Sequence, residues 1–215
     1  MDMRSPRGLM AGVLAFALIA PASAAQPQLV VRMDTTAGTI RAVLEAQAAP
    51  VTVCNFLRYM RAGHFDGGTF FRTVRSDLAG PNPVPIDVIQ MQARAGPEFD
   101  GFGPIPLEPT SRTGLGHVAG ALSMARWGPD TATSSWSIVV RPSPEMDFGG
   151  RRNPDGQGFA VFGRVIGGMD VVRAIHRSPA MDETLRQPVM IRSITAERQS
   201  RRRLAAVWSH CPMPG

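Results

Sequence analysis

No lysine occurs among the 215 residues; every basic side chain is an arginine, and the formal net charge is +6. A glycine-rich phosphate loop ending on lysine is therefore excluded. Cysteine is almost as scarce, with Cys54 and Cys211 alone. The histidines, His64, His117, His176 and His210, are scattered without metal-ligand spacing. Ser123-Met124-Ala125-Arg126 and Ser134-Ser135 lack the glycines of a nucleophile elbow, and carboxylates are few and dispersed. Hydrolase, kinase and metalloenzyme chemistry all want for parts, so neither metal nor cofactor is expected. Any activity has to rest on hydrogen bonds and an apolar pocket. No basic stripe interleaves with aromatic residues, which argues against a nucleic-acid partner. With abundant Ala, Gly and Pro, the arginine-only charge reads as GC-rich coding bias.

The length suits one domain with a full core, and a hydrophobic content of 44% suits a globular chain. Residues 1–25 read as an export leader: Arg4 and Arg7, then the apolar run Leu9 to Ala20, then small residues from Ala22 to Ala25 for cleavage. The run is too short to span a membrane, so no stable insertion is expected once the leader is removed. Cys54 falls in a helical pattern and Cys211 in a ragged tail, and the expectation is a buried free thiol at Cys54.

Leu29 to Asp34 and Gly38 to Leu44 form a strand pair about the turn residues Thr36-Ala37-Gly38. Val53, Phe56, Leu57 and Met60 recur at helical spacing, with Pro50 at the start and Gly63 at the stop. Further strands are expected at 69–74, 86–91, 117–124, 135–140, 159–165 and 188–194, and a short helix from Met169 to His176. Two segments read as inserts, the proline-rich 76–85 and the Gly/Arg/Asn-rich 148–158. Many short strands with few helices indicate a closed barrel or a sandwich. The tail from Glu197, with Arg201-Arg202-Arg203, is expected to be a solvated end.

Gly67 to Arg75, G-G-T-F-F-R-T-V-R, sets an arginine inside an apolar strand. Alternation puts Phe70, Arg72 and Val74 on one face and Phe71 on the other, toward the core. Arg72 then needs either a carboxylate partner, with Asp66, Asp77 and Asp87 as candidates, or a ligand.

Several motifs in order resemble the cyclophilin-type peptidyl-prolyl isomerases, from about Leu29 to Ile194. They are A-P-V-T-V-C-N-F-L from Ala49, His64-Phe65-Asp66-Gly67, Phe70-Phe71-Arg72 and Val88-Ile89-Gln90. Further on come G-A-L-S-M-A-R from Gly120, A-V-F-G-R-V from Ala160 and G-M-D-V-V from Gly168. The resemblance implies an all-β fold, a closed eight-stranded antiparallel barrel capped by two helices. It divides the chain into a leader (1–25), an isomerase domain (26–196) and a basic tail (197–215). It implies an outward-opening groove in which Arg72 donates to a proline-containing polypeptide and Gln90 helps hold it. Val88, Asp87, Ala125, Arg126, Ser135, Ser137, Met146 and Phe159 fall at the remaining groove positions. Asp87 and Ser137 stand where the family carries phenylalanine, which implies a shallower and more polar pocket. With the leader, the resemblance implies a periplasmic or otherwise exported monomer. The competing reading is a binding or chaperone module of the same fold that turns its clients over slowly.

Overall fold

A computed structural model describes residues 28–78, 83–94 and 101–211. The leader assigned to residues 1–25 lies outside them, as do parts of the 76–85 segment. The first hairpin pairs β1 (Leu29–Thr35) with β2 (Gly38–Leu44). Helix α1 (Pro50–Arg61) follows, with Pro50 in its first turn and Arg58 and Arg61 in its last, where cations suit the helix dipole. Its opening amides would otherwise lack partners, and the Glu108 carboxylate accepts from the Thr52 amide at 2.8 Å and from the Val51 amide at 3.2 Å.

The other strands are β3 (Thr69–Val74), β4 (Val88–Gln92), β5 (Ala121–Met124), β6 (Trp136–Val139), β7 (Val161–Gly167), β8 (Ala180–Met181) and β9 (Thr184–Ala196). A single turn, α2 (Thr110–Thr113), precedes β5, and α3 (Met169–His176) follows β7. The sheet order is β1-β2-β7-β5-β6-β4-β3-β9-β8, and β1 also pairs with β9. That last pairing closes an antiparallel barrel of eight strands and leaves β8 outside it. The expected barrel is present.

Alternation along the strands builds two apolar layers. Inward residues such as Phe70, Ile89, Met91, Leu122, Ile138 and Phe162 fill the barrel with Phe56 and Leu57 of α1. Trp136 sits among them, its ring centroid 5.8 Å from those of Phe56 and Phe70. Outward residues Val74, Val88, Ala121, Val139 and Val161 form a second cluster with Met146 and Ile86 on the outside of the wall. This outer layer is the floor on which a groove is built.

Three expectations are corrected. Cys54 is not a free thiol: it forms a disulfide with Cys211 across 157 residues of sequence. The basic tail is not a solvated end, because residues Arg201–Trp208 form helix α4, whose Leu204, Val207 and Trp208 pack on the core. The helical spacing of those apolar residues, together with the disulfide just beyond, holds α4 down. The third concerns β3. Its register against β4 runs Phe70 opposite Met91 and Arg72 opposite Gln90, so Phe71 is an extra residue at a β-bulge. The bulge breaks simple alternation: Phe70 points into the barrel, whereas Phe71, Arg72 and Val74 all line the outer groove.

Candidate active site

The groove lies on the outer face of β3, β4, β6 and β5 and has a volume of about 560 Å³. Its floor takes Val74 and Val88 from the outer layer. Arg72 and Gln90 rise from paired positions on β3 and β4, and Ser135 and Ser137 come from β6 and the residue before it. The far wall is Met124, Ala125 and Arg126, and Met146 and Phe159 close the apolar end. Trp127, 94% exposed, and Arg152, Asn153 and Pro154 of the 148–158 segment complete the rim.

Arg72 is held on two sides. Its Nη1 donates to Gln90 Oε1 at 2.8 Å, while Nε donates to Glu183 Oε2 at 2.9 Å and Nη2 donates to the same oxygen. Gln90 is fixed in turn, since its Nε2 donates to Ser135 Oγ at 3.1 Å and Ser135 Oγ donates to the Met91 carbonyl at 2.6 Å. A guanidinium has five N–H donors, of which these contacts use three. One N–H on Nη1 and one on Nη2 remain for a ligand. The arrangement suits donation to a substrate atom in the groove without proton transfer.

Asp87 is corrected: it neither lines the groove nor pairs with Arg72. It precedes Val88 and has the opposite parity to Val88 and Gln90, so its carboxylate turns away from the groove and is buried. There it accepts from Arg141 Nη2 at 2.9 Å and the Ser76 amide at 3.2 Å, with His176 Nε2 at 3.3 Å. Burial pushes this carboxyl upward, but Arg141 and the Ser76 hydroxyl and amide more than offset that and hold it below the usual carboxylate range. Phe71, expected in the core, forms part of the groove wall because of the bulge. The Arg72 partner is Glu183 rather than Asp66, Asp77 or Asp87.

Arg126 lines the wall, yet its side chain is only 1% exposed. Its Nη1 and Nη2 donate to Asp155 at 2.6 and 2.9 Å, its Nε donates to the Gly158 carbonyl at 2.8 Å, and it lies over the Phe159 ring. It ties the 148–158 segment to the barrel and offers the groove little donor capacity. Arg152 reaches the Val84 carbonyl with Nη1 at 2.6 Å. Burial pushes its guanidinium pKa down, Glu183 raises it, and the like charge of Arg72 lowers it further.

Behind the wall, His117 Nδ1 lies 2.6 Å from Asp147 Oδ1 and its Nε2 lies 2.8 Å from Ser123 Oγ. The order imitates a hydrolytic triad, but Ser123 is 1% exposed and no substrate reaches it. These groups tie Asp147 and the residues before β5 to Ser123 of that strand. Among the described residues, no group of three or more His, Cys, Asp or Glu is placed to hold a metal ion.

A barrel of this topology, with an arginine-floored groove on its outer wall, defines a cyclophilin-like protein. The family described as cyclophilin type peptidyl-prolyl cis-trans isomerase/CLD matches residues 30–196, and the chain belongs to that family. It is 32% identical to peptidyl-prolyl cis-trans isomerase A of Dickeya dadantii over 164 residues, covering 76% of this chain and 79% of the relative. It is 33% identical over 169 residues to a peptidyl-prolyl cis-trans isomerase of Streptomyces antibioticus, covering 76% of this chain and 95% of that one. Among solved structures, a cyclophilin type peptidyl-prolyl cis-trans isomerase of Cryptosporidium parvum superposes with a TM-score of 0.61. That match has 18% identity and covers 79% of this chain and 98% of the other.

Glu183, Phe71, Trp127 and Arg152 escape sequence reasoning. Glu183 is 111 residues from its partner, and Asp182-Glu183 lacks the glycine that marks a tight hairpin. Nothing in F-F-R announces a bulge.

Proposed function

We propose that this isomerase accelerates rotation about X–Pro bonds by means of Arg72, acting as a monomer on exported polypeptides. Resonance makes the peptide C–N bond planar, with a rotational barrier of ~18–20 kcal/mol. An X–Pro bond has little trans preference but still isomerises in roughly tens to hundreds of seconds. At the twisted transition state conjugation is lost, and the prolyl nitrogen becomes pyramidal and basic. A guanidinium donor aimed at that nitrogen stabilises the transition state more than the planar ground state. Arginine stays charged and its donors form a rigid fork. Lowering the barrier by ~7 kcal/mol corresponds to about 10⁵-fold.

The observation that carries this reading is the placement of Arg72: it lines an open groove, held by Gln90 and Glu183, with N–H groups to spare. Val88, Met146 and Phe159 supply the apolar surface for a prolyl ring, with Ser137 beside them. A Cryptosporidium parvum relative of the same fold has been crystallised in the presence of the dipeptide Ala-Pro, which supports a proline ligand here. Export is supported by the leader pattern of residues 1–25 and by the disulfide, since such bonds persist in oxidising compartments.

Exchange spectroscopy or a coupled assay on a short proline peptide tests the mechanism. Arg72→Ala is expected to lower kcat/KM by about 100-fold or more while the fold stays intact, a loss of ~2.7 kcal/mol in transition-state stabilisation. Wild-type protein that binds the peptide without isomerising it would replace this reading with a proline-segment binding module.

A further inference from the structure

We propose that Glu183 is the positioning residue of Arg72, delivered by the turn between β9 and a short strand, β8, that lies outside the closed barrel. This rests on Arg72 being the catalytic donor. Strand β8 is two residues long and lies outside the closed ring, with Met181 65% exposed. Met181 pairs with Thr184, so Asp182 and Glu183 are the turn, at φ of 49° and 65°. The left-handed region is unfavourable for both residues. The turn is nonetheless anchored to the catalytic strand, because the Thr73 amide donates to the Glu183 carbonyl at 2.8 Å.

The side from which the carboxylate approaches decides between a clamp and a competitor. A competitor for substrate would occupy the groove. Glu183 does not line it; it lines a neighbouring cleft of about 350 Å³ that shares Val74, Ile86 and Arg152 with the groove. It takes Nε, beside the arginine stem, and one N–H of Nη2. Gln90 fixes Nη1 from β4. Two acceptors on different elements define the guanidinium plane, whereas Gln90 alone would hold it at a single point. A donor aimed at a nitrogen that turns pyramidal only in transit gains most from being fixed beforehand. Glu183 also balances the second guanidinium nearby, Arg152, which lines both the groove and the cleft. Its positioning contribution should therefore appear in the chemical step rather than in peptide affinity.

The test measures peptide affinity and the on-enzyme exchange rate of a short Ala-Pro peptide by NMR. Glu183→Ala is expected to slow exchange about ten-fold with affinity changed less than about two-fold, and Glu183→Gln, which keeps an acceptor oxygen, to recover to within about three-fold of wild type. In an Arg72→Ala background, Glu183→Ala should change nothing more. Wild-type or faster exchange in Glu183→Ala overturns the proposal, as does an undiminished effect of Glu183→Ala in the Arg72→Ala background. If Arg72→Ala itself exchanges at the wild-type rate, the arginine mechanism falls instead, a result distinguishable from failure of the clamp alone. Independently of folding in the variants, the Arg72 Nε–H of the wild-type protein should exchange with solvent at least about ten-fold more slowly than in a free guanidinium. Absence of that protection also overturns the proposal.

Discussion

His176 and Asp87 meet behind the groove, both nearly removed from water. Burial lowers the pKa of His176, outweighing the opposite influence of the Val74 carbonyl and Asp87. The folded protein therefore holds His176 neutral where the unfolded chain would begin to protonate it. Well above pH 7, the imidazole is uncharged in both states and no proton difference arises. As pH falls through about 6.5, the unfolded chain takes up the proton first, and stability declines until the folded pKa is passed. Urea denaturation between pH 7.5 and 5 should show this slope, and His176→Gln should flatten it; an equal slope in the variant would assign the effect elsewhere. Asp87, held below the usual carboxylate range, adds its own loss of stability only at more acidic pH. Residue identity was the most legible level of the sequence. Arg72, Gln90, Ser135 and Ser137 stand together at the groove because motif order carried them there. Asp87 misled because it has a groove neighbour in sequence but faces the other way.

At the scale of elements, the bulge in β3 and the β8–β9 hairpin do the placing. One extra residue turns Phe71 outward beside Arg72 while keeping Phe70 in the core, so two successive side chains serve the groove. Simple alternation cannot express this, and the strands at 69–74 and 135–140 were legible when the phase within the first was not. Strand β9 was expected only from residue 188, whereas it begins at Thr184. The segment Leu185 to Pro188 interrupts its register with β3, which hides the hairpin from a pattern search. The turn itself leaves room for improvement. Asp182 is exposed and at φ 49°, where glycine avoids a strain of ~1–2 kcal/mol and gives back ~0.5–1 in unfolded-state entropy. Asp182→Gly is therefore expected to stabilise the fold by about 0.5–1 kcal/mol in chemical denaturation with isomerase activity unchanged; a loss of stability would mean that Asp182 makes a contact worth more than the strain.

Over the whole molecule, the barrel was legible and its fastening was not. Eight expected strands with an early helix left a barrel or a sandwich open and the family resemblance implied the barrel, but two cysteines so far apart give no local signal of pairing. The disulfide joins α1, which fills one mouth of the barrel, to the end of α4, where Arg61 also stacks over the Trp208 ring at 4.6 Å. Closing so long a loop removes unfolded-state entropy equivalent to ~5 kcal/mol in the chain-entropy account, and losses of ~2–5 kcal/mol are usual when such a bond is removed. Cys54→Ala with Cys211→Ala should lower stability within that range, and reductant should destabilise wild type but leave the double variant unchanged. Insensitivity of the wild type to reductant would show that the bond contributes nothing to the fold.

The closure of the barrel also sets a timetable. Strand β1 is bounded by β2 on one edge and by β9 on the other, so the first strand to appear waits for the last. At synthesis rates of ~5–20 residues per second, the Cys54 thiol precedes Cys211 by roughly 8 to 30 seconds. For that interval the nascent chain has an open sheet edge and an unspent thiol. Helix α4 and Cys211 follow the closing strand β9 in sequence, so the covalent latch can form only after the last barrel strand has been made.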